Sequence, residues 1–455
     1  MAPKFGTDGI RGIANQELSP ELALALGRAV AEVFTAGSCV VGRDTRRSGS
    51  MLVAAVVAGL TSEGVAVSDL GVAPTPAVAH LAATLGVPGV VVSASHNPFA
   101  DNGIKVFAPG GVKLSPAVEA DIEARLGALL GDPFSAKRPS GAGVGVVRDG
   151  SPILESYEDH ILSCIDGRSL EGLSVVVDAA NGACWDLGPR VLRRLGADVS
   201  EIHSSPDGFN INNDCGSTST AALSKEVLRL NASLGVAFDG DADRLVAVDH
   251  LGHEVDGDHL MALFARDLKA GGFLANDAVA VTVMTNIGFH KAMEAEGIGV
   301  VQTPVGDRFV LDAIEEHGLA LGGEQSGHII FRRLATTGDG LLTAVMLADL
   351  LVRSGRSLAE LSSEVMTRLP QRLINVGVVD PGRLGEATEL AEAARRIEER
   401  ISAEGGGRVL LRPSGTEPLV RVMVEAASEA LADQAASELA EEVRRVLGRE
   451  DPFPF

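Results

Sequence analysis

Three stretches of the chain repeat one order of parts, and that repetition constrains the fold more than any other feature. In each, a short Val-rich run enters a polar, Gly-containing loop, and a helical pattern follows. Cys39–Gly42 leads into R-D-T-R-R-S-G-S and the run Met51–Leu60; Leu173–Val177 leads into D-A-A-N-G-A and Leu187–Leu195; Val279–Met284 leads into T-N-I-G and Phe289–Glu296. Runs that are apolar at every position are buried on both faces, as in a mainly parallel sheet covered by helices. Strands alternating with helices build α/β units. The units recur roughly every hundred residues, an ordinary domain size. The remaining stretch follows another pattern, with strands expected at Asn375–Val379, Arg408–Leu411 and Leu419–Glu425, helices at Glu386–Ile401 and Leu431–Leu447, and a turn at Gly-Gly-Gly 405–407. The expected fold class is α/β, with three related mixed-sheet α/β domains and a small C-terminal α+β domain. The boundaries read as 1–152, 153–252, 253–368 and 369–455.

Charge limits the partners. With 39 basic and 61 acidic residues in 455, the net charge is −22. No long basic run is present, which argues against nucleic acid and anionic membranes as partners. The four cysteines, Cys39, Cys164, Cys184 and Cys215, form no C-x-x-C pair and read as buried, reduced thiols. The opening M-A-P-K-F-G-T lacks the apolar core of a signal peptide, and no apolar run is long enough to span a bilayer. A cytoplasmic protein is expected.

Four loops carry chemistry. In V-V-S-A-S-H-N-P at 91–98, a Val-rich strand ends in Ser93, Ala94, Ser95 and His96. Ser95 there is either a nucleophile or phosphate carrier, or part of a capping turn. Lys105, one of only seven lysines against thirty-two arginines, follows within ten residues and favours the first reading, because an ammonium beside a serine oxygen lowers its pKa or moves its proton. In A-F-D-G-D-A-D-R at 237–244, Asp239, Asp241 and Asp243 place three carboxylates within five residues. Such a cluster calls for a hard cation. An EF-hand is excluded, since Arg244 stands at position six of the loop and His250 at position twelve; Mg²⁺ fits better.

In G-G-E-Q-S-G-H at 322–328, glycines flank Glu324 and Ser326, groups suited to sugar hydroxyls or an amine, or to a hydrogen-bonded hairpin. In L-R-P-S-G-T-E-P at 411–418, Arg412 and Arg421 flank Ser414, Gly415 and Thr416, the donors a phosphate dianion needs. F-G-T-D-G-I-R-G at 5–12 adds Arg11, and V-G-D-R at 305–308 adds Asp307 and Arg308.

Together and in this order, the loops resemble the α-D-phosphohexomutase superfamily over the whole chain. Gln325, R-P-S-G-T-E-P, N-I-N-N-D-C-G-S-T and T-T-G-D-G at 336–340 are similar to the bacterial branch that acts on glucosamine phosphates. Ala242, where Gly is commoner, is the one visible departure. The resemblance implies four domains around a central cleft, each giving one loop. It implies that Ser95 carries the phosphoryl group and binds the metal through a phosphate oxygen, and that Asp239, Asp241 and Asp243 hold one Mg²⁺ per subunit. Glu324 and Ser326 would contact sugar hydroxyls. Arg412, Ser414, Gly415, Thr416 and Arg421 would take the non-reacting phosphate. Lys105, Arg11, His96, Arg244 and His328 would surround the transferred phosphate, with Asp307 among the substrate-binding groups. The implied reaction interconverts glucosamine 6-phosphate and glucosamine 1-phosphate through a phosphoserine enzyme and a 1,6-bisphosphate intermediate. It would feed UDP-N-acetylglucosamine and cell-wall precursor synthesis. The alternative is phosphomannomutase/phosphoglucomutase activity. The resemblance leaves room for a homodimer, and for Ser95 to be charged by a kinase, by autophosphorylation or by glucose or glucosamine 1,6-bisphosphate as activator.

Overall fold

The computed structural model describes residues 6, 9–132, 138–414 and 417–448. Its chain groups into two compact units: residues 1–284 with 297–365, and residues 285–296 with 366–455.

The larger unit holds two complete strand–loop–helix repeats and the strand of the third, whose helix belongs to the smaller unit. Ser38–Arg43 feeds the helix Gly49–Ser62, and Ser174–Asp178 feeds Leu187–Arg194. The third strand is Ala278–Thr282. Each repeat has its own sheet. The first runs Ile10–Ile13, Asp101–Ala108, Gly89–Val92, Ser38–Arg43, Ala66–Val72, Val147–Asp149, with Val112–Lys113 against Asp101–Ala108. The second runs Glu254–Val255, Leu245–Asp249, Leu234–Phe238, Ser174–Asp178, Asp198–Ile202. The third runs Gly299–Thr303, Ala278–Thr282, Leu321–Gly323, Ile329–Phe331. Their central pairings are parallel, and antiparallel pairs close one side of each. Every residue of Gly89–Val92 and of Leu234–Phe238 is buried, as an uninterrupted apolar run between two helical layers requires.

Antiparallel pairing positions the chemistry. Gly89–Val92 returns at once as Asp101–Ala108, with Val91 opposite Lys105 and Val92 opposite Ile104. The D-N-G-I-K motif is thus strand, and the strand places Lys105 beside the end of the one that delivers Ser95. Likewise Leu234–Phe238 returns as Leu245–Asp249, leaving the three aspartates in the connecting turn.

The smaller unit has a three-stranded antiparallel sheet, Gln371–Gly377, Leu419–Ala426, Gly407–Pro413, under the helices Thr388–Ala403 and Glu429–Leu447. Its first strand begins four residues before the expected Asn375, because Gln371–Ile374 pair in register with Glu425–Val422 although their own side chains are mostly exposed. Only Leu373 and Ile374 are apolar there, too short a run to mark a strand. Gly405 and Gly406 adopt positive φ and make the turn before the strand. The helix Ile287–Ala295 of the third repeat also belongs here: Ile287 N–H donates to Glu425 Oε2 at 3.0 Å, and Arg408 donates to the Thr285 carbonyl at 2.7 Å. No helix among the described residues is long and apolar enough to cross a membrane.

Candidate active site

The loop after Val92 is bent so that Ser95 faces inward. Ser95 has φ +54, a left-handed conformation that only surrounding contacts sustain in a non-glycine residue. Its N–H donates to Ser93 Oγ at 3.0 Å, and Ser93 Oγ donates to buried Asp44 at 2.6 Å. Ser95 is 1% exposed, and its Oγ donates to Asp239 Oδ2 at 2.5 Å. His96 Nδ1 lies 3.4 Å from the same oxygen. Burial, and then the charges of Arg244 and Arg11, push the His96 imidazole down to about 4, so it is neutral at pH 7.

The aspartate turn lies against this loop. Asp239, Asp241 and Asp243 are all buried, and one oxygen from each lies within 4.8 Å of the others. Burial, then the charges of Asp243 and Asp241, raise Asp239 well above the usual carboxylate range. Asp243 goes the opposite way: burial opposes its charge, but Lys105 and His328 hold it well below that range. Lys105 Nζ donates to Asp241 Oδ2 at 2.6 Å and to Asp243 Oδ2 at 3.2 Å. Thr75 grips the same turn, its Oγ1 donating to Asp241 Oδ2 at 2.6 Å and its N–H to the Asp241 carbonyl at 2.9 Å. Asp241 Oδ1 and Asp243 Oδ1 remain buried with no hydrogen-bond donor. Arg244 donates its backbone N–H to Asp239 Oδ1 at 3.2 Å, and its Nε lies 3.7 Å from Asp243 Oδ1.

The Glu324 loop docks on the aspartate turn through backbone. Leu245 N–H donates to the Gly327 carbonyl at 3.0 Å. Gly327 has φ +89, and a Cβ there would sit 2.0 Å from the Leu245 carbonyl oxygen. Glu324 accepts from Gly306 N–H at 3.2 Å and from Ser326 Oγ at 3.4 Å. His328 is buried between two carboxylates, 3.8 Å from Asp243 and 3.7 Å from Asp307. Burial opposes its charge, yet Asp243, Asp307 and Glu324 raise its pKa. Its Nε2 accepts from Gly338 N–H at 3.0 Å. Asp307 also pairs with Lys113. Arg308 pairs with Glu119 through both terminal nitrogens, so it serves that ion pair rather than the aspartate turn. Arg11 is on the strand Ile10–Ile13, opposite Gly103.

In the smaller unit, Arg412 and Arg421 are direct cross-strand partners. Like charges in that register repel. Burial and the Arg421 charge lower the Arg412 pKa. Both Nε atoms and Ser414 Oγ are buried without an acceptor. Two guanidiniums and a hydroxyl with unmet donors are the groups that an anion would need. Gly415 and Thr416 lie outside the described residues.

Four stretches match the domain families described as phosphoglucomutase/phosphomannomutase alpha/beta/alpha domains I, II and III and C-terminal domain, at residues 2–129, 155–252, 256–369 and 373–442. The chain belongs to the phosphoglucomutase/phosphomannomutase family. Among family members, the phosphoglucosamine mutase of Salinispora arenicola is 52% identical over 98% of this chain and 99% of its own. That of Streptomyces coelicolor is 51% identical over 98% and 100%. A solved family structure from Burkholderia thailandensis is 25% identical, with TM-score 0.80 over 98% of both chains.

A metal-dependent family raises the question of whether these residues fit a metal. They do: three buried carboxylates offer hard oxygen donors, and two of their oxygens accept no hydrogen bond. A second grouping, Asp178, His203 and Cys215, has comparable spacing but is spoken for. Asp178 accepts from Ala180 and Gly216 N–H at 2.9 and 3.1 Å, and His203 Nδ1 lies 3.0 Å from it. Burial, then Asp178 and Asp214, push the Cys215 thiol up to about 12. Asp178 ties the turns at Ala180 and Gly216 together.

Sequence reasoning missed several residues that build the site. Thr75, Arg46, Asp44 and Asn212 all touch the serine loop or the aspartate turn. Arg46 and Asn212 lay inside quoted motifs, R-D-T-R-R-S-G-S and N-I-N-N-D-C-G-S-T, and that was the only signal they gave.

Proposed function

We propose that this family member interconverts glucosamine 6-phosphate and glucosamine 1-phosphate through a phosphoserine at Ser95. The observation that carries the reading is the buried Ser95 hydroxyl on Asp239, within a trio of carboxylates bridged by Lys105. A simple sugar-phosphate binder has no use for that arrangement. The amino sugar as substrate is supported by the names of relatives about half identical over the full chain.

In the forward reaction the P–O bond to Ser95 Oγ breaks as a bond to the free sugar hydroxyl forms; a base in the site takes the hydroxyl proton, and the departing Ser95 oxygen takes up a proton in turn. The resulting glucosamine 1,6-bisphosphate then returns its other phosphoryl group to Ser95. Ser95, Asp239, Asp241 and Asp243 would hold one Mg²⁺, which supplies charge neutralisation to the transferred phosphoryl oxygens. Arg11, Arg244 and Lys105 add positive charge around that group. His96, held neutral, is a second proton acceptor beside Ser95 Oγ, its Nδ1 at 3.4 Å where Asp239 Oδ2 is at 2.5 Å. Glu324 and Ser326 take sugar hydroxyls or the amine. His328 and Asp307 form the buried support beneath them and Asp243. Arg412, Ser414 and Arg421, with Gly415 and Thr416, take the phosphate that does not react. Glucose or glucosamine 1,6-bisphosphate, a kinase or autophosphorylation charges Ser95. A cytoplasmic location follows from supplying UDP-N-acetylglucosamine and cell-wall precursors.

The test is a substrate panel on Mg²⁺-loaded, phosphorylated enzyme. The highest kcat/KM is expected for glucosamine phosphates, with little release of free phosphate. A preference for glucose or mannose phosphates would reassign the substrate. Free phosphate released in proportion to substrate consumed would make the protein a phosphatase.

A further inference from the structure

One carbonyl in the serine loop is gripped from two repeats. The Ser95 carbonyl accepts from Arg46 Nη2 at 2.9 Å and from Asn212 Nδ2 at 2.8 Å. Both side chains continue to the Asn97 carbonyl, Arg46 at 2.8 Å and Asn212 at 3.1 Å. Arg46 also donates to the carbonyls of Pro98 and Asp101, the latter at 3.2 Å. Its Nε is fixed at 2.8 Å on Asp44, the carboxylate that also receives Ser93 Oγ. A third element closes the cage: a Cβ added to Gly240 would sit 2.5 Å from the Ser95 carbonyl oxygen and 2.9 Å from Asn212 Nδ2. Arg46 is fully buried, in the first repeat; Asn212 and Gly240 belong to the second.

We infer that Arg46 and Asn212 are positioning residues that lock Ser95 in its left-handed conformation, so that Oγ keeps one position whether or not it carries a phosphoryl group. The inference rests on the mutase reading. A mutase must give up a phosphoryl group and recover the other while the bisphosphate is bound. A serine that relaxed to ordinary backbone after the first transfer would leave the intermediate without its acceptor. Left-handed backbone in a non-glycine residue is strained and persists only where neighbours over-determine it. Four guanidinium hydrogen bonds to carbonyls, with the fifth donor fixed on Asp44, do this in a way a lysine does not reproduce. Asn212 adds a grip from the repeat that carries the aspartates, tying the Ser95 backbone to the turn its hydroxyl faces.

The test uses Asn212→Gly. Asn212 itself has φ +57, which glycine tolerates, so the substitution removes the donor without straining the backbone. Arg46→Lys is the second variant, keeping charge beside Asp44 while losing the fork. Three quantities are measured on the full-length Mg²⁺-loaded enzyme: kcat and KM for glucosamine 6-phosphate, free bisphosphate released per turnover, and amide exchange across residues 93–101. The expected result for Asn212→Gly is kcat down about tenfold to a hundredfold, KM within about threefold, more bisphosphate escaping and faster exchange in 93–101. Unchanged kcat with faster exchange overturns the inference, and so does lower kcat with unchanged exchange or without bisphosphate escape. Absence of mutase turnover in the unsubstituted enzyme refutes the mutase reading instead, and the exchange measurement still reports whether the grip exists.

Discussion

Ser95 Oγ donates to Asp239 Oδ2 over 2.5 Å, although 144 residues separate the two in the chain. The contact makes Ser95 a hydroxyl aimed at a carboxylate cluster and shielded from bulk water, the setting in which a phosphate ester is charge-balanced only if a cation joins it.

Ser95→Ala removes the acceptor and leaves the cage around its carbonyl untouched. Mutase turnover is expected to fall at least about a thousandfold, with the melting temperature within a few degrees of the parent. Intact-mass spectrometry checks the same point: a fraction of the unsubstituted protein carries about 80 Da of phosphate, mapping to the Ser95 peptide, and the variant carries none. Near-normal turnover would refute the phosphoserine role.

Mg²⁺ is expected to raise the melting temperature of metal-free protein, because a cation relieves the repulsion among Asp239, Asp241 and Asp243. Asp239→Asn replaces one of three crowded charges by a neutral amide. The metal-free variant is expected to melt no lower than the parent and to lose the Mg²⁺ response along with activity. A variant that still gains stability from Mg²⁺ would place the ion elsewhere.

Arg412 and Arg421 oppose each other across two strands with buried, unsatisfied Nε atoms. Arg412→Ala is expected to raise KM about tenfold to a hundredfold while kcat changes only a few-fold, since the non-reacting phosphate is held before and during transfer. In anion-free buffer the same variant is expected to be at least as stable as the parent, because one of two repelling charges is gone. Steady-state kinetics and thermal melts check the two halves separately.

His80 stacks on His160 at 4.6 Å between ring centroids, and burial together with the His160 charge lowers its pKa from 6.5 to about 4. The unfolded chain takes up a proton on this ring near pH 6.5 and the folded chain only near 4. Its contribution to stability is therefore complete above pH 6.5 and is lost as pH falls through 4. Partial exposure reduces the effect to about 1–2 kcal/mol. Denaturant midpoints measured from pH 7 to 4.5 are expected to fall less steeply in His80→Gln than in the parent. Parallel slopes would refute the assignment.

Sequence made the architecture legible where burial is continuous. Leu234–Phe238 is a strand with the bounds its apolar run implies, and Val90–Val92 needs only Gly89 added. The aspartate trio and Ser95 were legible because their residue types are rare at such spacing. Arg46 and Asn212 were not, because their partners are backbone carbonyls, which any sequence supplies. The partner of Arg308 was hidden for another reason. A motif gives a residue's charge but not its competitor, and Glu119 lies 189 residues away. Gln371–Ile374 escaped because only Leu373 and Ile374 are apolar there, too short a run to mark a strand that backbone pairing with Glu425–Val422 extends.

The antiparallel return of Gly89–Val92 as Asp101–Ala108 has a consequence for how this segment tolerates change in length. Side chains alternate along a strand, so deleting or inserting one residue between Asp101 and Lys105 would send the ammonium to the opposite face of the sheet and bring a neighbour in its place. Substitutions on the outer face leave that parity intact. The strand from Asp101 to Lys105 is thus rigid in length, and its burial restricts composition as well: a graft onto another scaffold would have to move it together with Gly89–Val92, so that Ser95 and Lys105 are inherited together.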